Sequence, residues 1–262
     1  MNAAEREESL LMLERLRPMD DTFMRVLFRD VHIAEIVLRI IMNKEDLHIT
    51  DCRTQEDMKR LGGARSICLD ALATDDEGRK YDIEVQRAAG GAKPKRARYH
   101  AAVMDIEFLD AADDFEKLPE SYVIFITEKD VIGDGKAIHI YERRDEETGM
   151  PLDDGQHILY INGAYQGEEP IGRLMHDFRC SAAEDMLIPE LAERTRYLKE
   201  NEEGSKVMCQ LMEDRIYRRN VRVAEAMLEM GTNTLEQIAQ IAELPLETVR
   251  ELAEKKKAPV AQ

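Results

Sequence analysis

Tryptophan is absent from this 262-residue chain, and aromatic residues make up only 5% of it. So few π faces leave little material for the stacking platforms that hold single-stranded nucleic acid. Cysteine is sparse too: Cys52, Cys68, Cys180 and Cys209 are scattered, with no C-x-x-C pair. That spacing offers neither a zinc knuckle nor a disulfide framework, and free thiols suit a reducing, cytoplasmic setting. Positive charge is in deficit, with 37 Lys and Arg against 54 Asp and Glu and a net charge of −17. A surface of that sign does not coat DNA indiscriminately, so any nucleic-acid contact needs a local basic patch. No apolar run approaches the roughly 20 residues of a spanning helix. The opening Met1–Glu8 is acidic where an export signal is basic, so no membrane partner is expected. The chain has no P-loop, Rossmann glycine pattern or G-x-S-x-G elbow, which removes support for nucleotide hydrolysis, a nucleotide cofactor, NAD chemistry and acyl transfer.

At 44% hydrophobic and 35% charged, the chain has the material for a real core. The segment Pro18-Met-Asp-Asp-Thr is a helix start, with Asp20 or Asp21 as N-cap before Phe23–Phe28. Val31–Met42 repeats apolar residues at helical spacing, with Glu35 on its polar side. Strands are expected over His48–Gln55, Ser66–Thr74 and Arg79–Arg87, then a helix from Pro94 to about residue 112. Ser121–Thr127 is a near-continuous apolar run, as in a strand covered on both faces. Ala137–Arg143 and His157–Asn162 read as two more strands, and the chain turns helical from Glu168. The order α-β-β-β-α-β predicts an α/β fold with one mixed central sheet. Gly231 ends a helix, Thr234 and Gln237 form a capping box, and Leu244-Pro245 breaks the next helix. The expected division is 1–217 for the main domain and 218–262 for a small helical module. That module is either helix-turn-helix-like or a helical tail that packs on the core or pairs two chains into a homodimer.

The two strands around Asp75-Asp76-Glu77-Gly78 carry the chemistry. Alternation sets Asp70 with Cys68 and Leu72 on one face, Leu69 and Ala71 on the other, and Asp82, Glu84 and Gln86 together on one face of the next strand. If the polar faces coincide, two carboxylates and an amide meet at the open end of the hairpin. Such an oxygen-rich pocket suits Mg²⁺, which takes oxygen ligands and keeps several waters. The competing reading is a sheet with one solvated, acidic face. Asp21 is open to both a cap and a site role. Lys93, Lys95, Arg96 and Arg98 place four cations in six residues at a helix start, either as a phosphate-holding patch or as a solvated face. Arg96 and Tyr99 share a helix face and could flank one phosphate. His176-Asp177, far from the hairpin and without a nucleophile nearby, reads as structural hydrogen bonding.

The ordered set Asp21–Leu27, Leu69-Asp70-Ala71, Glu84-Val85-Gln86, Lys95–Tyr99, Tyr122–Thr127, Ile161-Asn162-Gly163 and Leu174–Phe178 resembles the PD-(D/E)XK nuclease family transposases. The resemblance implies a restriction-endonuclease-like core with added C-terminal helices. It also implies a DNA endonuclease that hydrolyses phosphodiesters with Mg²⁺, or Mn²⁺ in its place, in recombination or mobile-element movement. By position, Asp21, Asp70, Glu84 and Gln86 would be catalytic, and Asp70, Glu84 and the Val85 carbonyl would hold the metal. Lys95, Arg96, Arg98 and Tyr99 would meet DNA. Leu69 stands where the superfamily has proline. Gln86 stands where it often has lysine, and an amide cannot offset negative charge as an ammonium does. The alternative is a catalytically weak or inactive nuclease-fold protein that binds DNA or serves interaction, with the C-terminal helices used for partners.

Overall fold

The computed structural model describes residues 3–58 and 67–257. Ser66, the expected start of the second strand, lies outside the described residues. Three helices open the chain: α1 (Ala3–Arg15), α2 (Asp21–Leu27) and α3 (Val31–Met42). Strands β1 (Ile49–Asp57), β2 (Cys68–Asp75) and β3 (Lys80–Gln86) lead to α4 (Pro94–Phe108) and β4 (Ser121–Thr127). The hairpin β5 (Ile138–Tyr141) and β6 (Gln156–Asn162) follows, then α5 (Pro170–Arg179), α6 (Pro189–Glu200), α7 (Glu202–Met230), α8 (Leu235–Ile241) and α9 (Leu246–Lys257). The sheet order is β1-β2-β3-β4-β6-β5, with β3, β4 and β6 parallel and the other neighbours antiparallel. This is the α/β, α-β-β-β-α-β core of a restriction-endonuclease-like fold with a mixed sheet and C-terminal helices. No helix among the described residues is long and apolar enough to cross a membrane.

Both sheet faces are covered. Ala71, Ala73, Tyr81, Ile83, Ile124, Ile126 and Ile161 pack with Phe23, Leu27, Val37 and Leu174 of α2, α3 and α5. Leu72, Val123, Phe125 and Tyr160 pack with Ala97, Ala101 and Met104 of α4, the helix that links the parallel strands β3 and β4. Every residue of β4 is buried, as its apolar run requires. The solvated-face reading of the hairpin is therefore overturned, because Asp82 and Glu84 are fully buried under α4.

Local boundaries follow local chemistry. Helix α3 ends where Asn43 adopts a left-handed conformation (φ 50°). Asp20 holds the N-cap position of α2 but makes no capping bond; its carboxylate accepts the Arg17 N–H at 2.9 Å. Helix α4 stops at Phe108, short of the expected 112, because Leu109 is extended. The acids Asp110, Asp113 and Asp114 beyond it would oppose the negative end of a longer helix. Strand β5 is shorter than Ala137–Arg143. Glu35 pairs with Arg39 at 2.7 Å and accepts the Ile49 N–H at 3.0 Å, joining α3 to the sheet edge.

The β2–β3 turn is fixed by Asp75. Its buried carboxylate accepts from the Glu77 and Arg79 N–H groups at 3.1 and 2.8 Å, from Tyr81 Oη at 2.8 Å and from Arg79 Nε at 2.5 Å. These donors outweigh desolvation and hold the carboxyl below its ordinary range. The bonds hold Gly78 at φ 85°, where a side chain would be strained. Asp75→Ala is expected to cost about 2–4 kcal/mol, since it strands several donors. Urea unfolding should show the loss at pH 7 and a smaller one near pH 3, where protonation has already removed the carboxylate's advantage. An equal loss at both pH values would exclude this role.

Candidate active site at the open end of the hairpin

The β2–β3 ladder runs from Thr74–Lys80 to Ala71–Ile83 and then stops. Beyond that point the strands separate and side chains take over from backbone. The Asp70 N–H donates to Glu84 Oε1 at 2.9 Å, and the Val85 N–H donates to the Asp70 carboxylate. The even-numbered residues of β3 direct their backbone groups toward β4, as the Lys80 N–H to Glu120 carbonyl and Glu128 N–H to Gln86 carbonyl bonds illustrate. Strand geometry therefore turns the Val85 carbonyl toward β2, into the gap left by the ended ladder. The same break disturbs alternation: Leu69 joins Leu72 in the α4-side cluster, where opposite faces were expected.

Glu84 is at the centre. Its side chain has 0% exposure and meets Arg96 through Oε2 at 2.8 Å. Gln86 Nε2 donates to that oxygen at 3.3 Å. Asp82, two residues away on the same face, meets His100 Nδ1 at 2.8 Å. Arg96 Nε donates to His100 Nε2 at 3.2 Å. A guanidinium only donates, so this bond fixes the neutral imidazole with its proton on Nδ1, facing Asp82. Burial pushes the His100 pKa down, in keeping with a neutral ring. Arg96 Nη1 also donates to Gln86 Oε1 and to the Gly91 carbonyl, each at 3.2 Å. A Cβ on Gly91 would sit 2.0 Å from Gln86 Oε1, so only glycine leaves the amide its place.

Asp70 lies on the α2 side of the gap. Arg25 bridges it, with Nη2 at 3.6 Å from Asp70 Oδ1 and 2.9 Å from Asp21 Oδ1. Asp21, the first residue of α2, also meets Arg215 of α7 at 3.2 Å. It thus faces Asp70 across Arg25 and does not occupy the cap position. Burial raises the pKa of Asp70, Asp82 and Glu84, and like charge adds to it: Asp21 on Asp70, Asp70 on Asp82, and Asp82 with Asp70 on Glu84. Asp82 Oδ1 is buried without a hydrogen-bond partner. Asp82, Glu84 and His100 place ligand-type atoms within 4.8 Å of one another.

The α4 start flanks this pocket. Arg96 and Tyr99 line a cleft of about 680 Å³ together with Cys68, Lys93, Lys95 and His100. Lys95 and Arg98 are solvent-exposed, and Arg98 lies outside that lining. Sequence reasoning missed Asp82 and His100. The available signals were the i, i+2 acids on β3 and the i, i+4 Arg96–His100 pair on α4. His176, Asp177 and Cys180 form another cluster, but both Asp177 oxygens accept backbone N–H groups, of Leu187 and Ile188, at 2.8 Å. That carboxylate pins the loop after α5, the structural role expected of it.

Comparison with known proteins adds one finding. Residues 36–164 match the family model described as PD-(D/E)XK nuclease family transposase. That span holds the six strands, α4 and part of α3, and leaves out Asp21 and α7. None of the curated proteins and none of the solved structures matches the chain.

Proposed function

We propose, for a chain that carries a PD-(D/E)XK nuclease/transposase domain over residues 36–164, that it is a Mg²⁺-dependent DNA endonuclease. The observation that carries this reading is the bond from the Asp70 N–H to Glu84 Oε1, at the point where β2 and β3 part. It supports reading the partly buried Asp70, the fully buried Glu84 and the Val85 carbonyl as one hard oxygen donor set of the kind Mg²⁺ takes. Burial first, and neighbouring acids second, raise the proton affinities of Asp70, Asp82 and Glu84, and Asp82 Oδ1 has no hydrogen-bond partner, so a bound cation would favour their charged forms. Asp70, Glu84 and Val85 would hold the ion, and Mn²⁺ would fit the same donors. When bound, the metal would lower the pKa of a water and offset charge on the scissile phosphate.

The chain's own residues have distinct tasks. Arg96 brings to Glu84 the positive charge that Gln86 lacks, and His100 with Asp82 holds Arg96 in place. Gln86, anchored by Glu84 and Arg96, keeps one N–H and one lone pair with which to orient a water. Asp21 is the further acid, acting through Arg25. Lys95, Arg98 and Tyr99 would steady the DNA backbone beside the α4 start. Recombination or mobile-element movement is the setting the family name suggests, and the cytosol is the compartment that free thiols suit.

A small C-terminal unit from about residue 218 is part of the same proposal. Met208 and Met212 of α7 pack in the main core, whereas Ala224 packs with Ile238, Leu244 and Val249 of the last helices and their loop. Residue 218 falls between them, inside α7. That unit could also pair two chains.

The test is incubation of the purified protein with supercoiled, linear and single-stranded DNA, with Mg²⁺ and with chelator. Nicked or cut product only with the divalent ion is the expected result. A second reading, a DNA-binding protein that does not cut, is favoured by Arg25 and Arg96 already partnering the acids. It predicts DNA binding with no product under any ion.

A further inference from the structure

A second strongly charged surface lies beside the acidic pocket. Arg215, Arg218 and Arg222 of α7 line a cavity of about 880 Å³ whose other wall includes Asp21, Arg25 and Cys68. Their spacing of three and four residues sets them along one side of the helix. Cys68 also lines the cleft of Lys93, Lys95 and Arg96, so the two cavities share the first residue of β2, two residues from Asp70, in their walls. Arg215 is tied to Asp21 and to Thr22 Oγ1. Arg218 and Arg222 are exposed, and among the described residues no carboxylate pairs with either; Arg222 Nε donates only to the Arg218 carbonyl at 3.4 Å. Asp214 is the one acid that α7 adds to this lining. Three arginines aligned on a cavity wall repel one another, in a chain of net charge −17 with acids to spare for pairing.

We propose that α7 is a second phosphate-binding wall, in which Arg218 and Arg222 hold backbone phosphates of duplex DNA whose reacting bond lies at Asp70 and Glu84. This rests on the nuclease reading above. From Arg215 to Arg222 the helix rises about 10 Å. That rise matches about three phosphates along one strand of a duplex. A cationic wall on each side of the acids fits a duplex laid across them. The scarcity of aromatic side chains argues against a splayed single strand.

The experiment is fluorescence anisotropy with a short labelled duplex in EDTA, over a salt series, on the full chain. Wild type, R218A/R222A, R218K/R222K and the same-helix control K206A are compared, with circular dichroism to confirm folding. R218A/R222A should bind about 10-fold more weakly near 0.15 M salt, with a log Kd against log salt slope shallower by about 2, one lost phosphate contact per arginine. The lysine variant should keep the slope, and K206A should match wild type. In cleavage with Mg²⁺, R218A/R222A should raise KM and leave kcat. An unchanged Kd and slope in R218A/R222A, with wild type binding and cutting, would overturn the α7 wall alone. A wild type that binds no DNA would overturn the nuclease reading beneath it. A labelled polyglutamate peptide is titrated in parallel; its binding lost in R218A/R222A while duplex binding stays intact would assign the arginines to an acidic protein partner and overturn the proposal.

Discussion

Asp70→Asn and Glu84→Gln should each lower Mg²⁺-dependent DNA cleavage by at least about 10³-fold, roughly 4 kcal/mol of transition-state stabilisation. Each removes a charged oxygen from the proposed donor set of two acids and a carbonyl, and both leave side-chain volume nearly unchanged. Asp70→Asn carries a second, opposite consequence: the metal-free protein should become more stable. Burial and the neighbouring Asp21 raise the Asp70 pKa in the fold above its unfolded value. The folded state therefore binds the proton more tightly, and stability falls as pH rises from the unfolded pKa through the folded one. Asparagine has no such penalty, so its advantage in urea unfolding should be larger at pH 8 than at pH 4. Glu84→Gln should gain nothing, because its amide would confront the donors of Arg96 and Gln86. Retained cleavage in either variant would remove that residue from the site. An Asp70→Asn protein less stable than wild type at pH 8 would refute the crowded-acid account.

Arg96→Ala should cost about 2–4 kcal/mol of stability, less than for a wholly buried pair because its side chain is 40% exposed. It strands Glu84, which has no water to turn to, and frees Gln86 and His100 together. Glu84 would answer by keeping its proton to still higher pH, so the loss should grow as pH rises above the ordinary carboxyl range. Arg96→Lys should fall between, since an ammonium keeps the charge but not the fork that reaches Glu84, Gln86 and His100 at once. Denaturant unfolding at pH 5 and pH 8 measures both effects. Equal stability of Arg96→Ala and wild type at pH 8 would mean that Glu84 does not depend on this partner. Because Arg96 contacts Glu84 directly, the alanine variant should also cut slowly even where it remains folded.

Much of the fold was legible because its periodicities are strong. The apolar face of α3, the fully apolar β4 and the β2–β3 turn at Asp75–Gly78 are local signals, and the helices ending at Gly231 and starting at Thr234 carry their own caps. The end of α4 and the length of β5 were not legible, since neither is marked by a glycine or proline stop. The break in alternation at Leu69 was hidden for another reason. It depends on where the β2–β3 ladder ends, and that is set by Asp70 and Glu84 reaching across the gap rather than by either strand alone.

The order of elements, the pairing of β2 with β3 and the types of residue at the hairpin's open end were determined by the chain's own local chemistry. Whether those acids met water or protein was decided only by tertiary structure. Helix α4 lies over Asp82 and Glu84, and α2 carries Arg25 to Asp70. Charge state depends on burial and on neighbours brought from far along the chain. The same carboxylate is inert on a solvated strand and strongly perturbed beneath α4. The arginines of α7 illustrate the point from the other side: their spacing is plain in the sequence, but only the fold sets them across a cavity from Asp21 and Arg25.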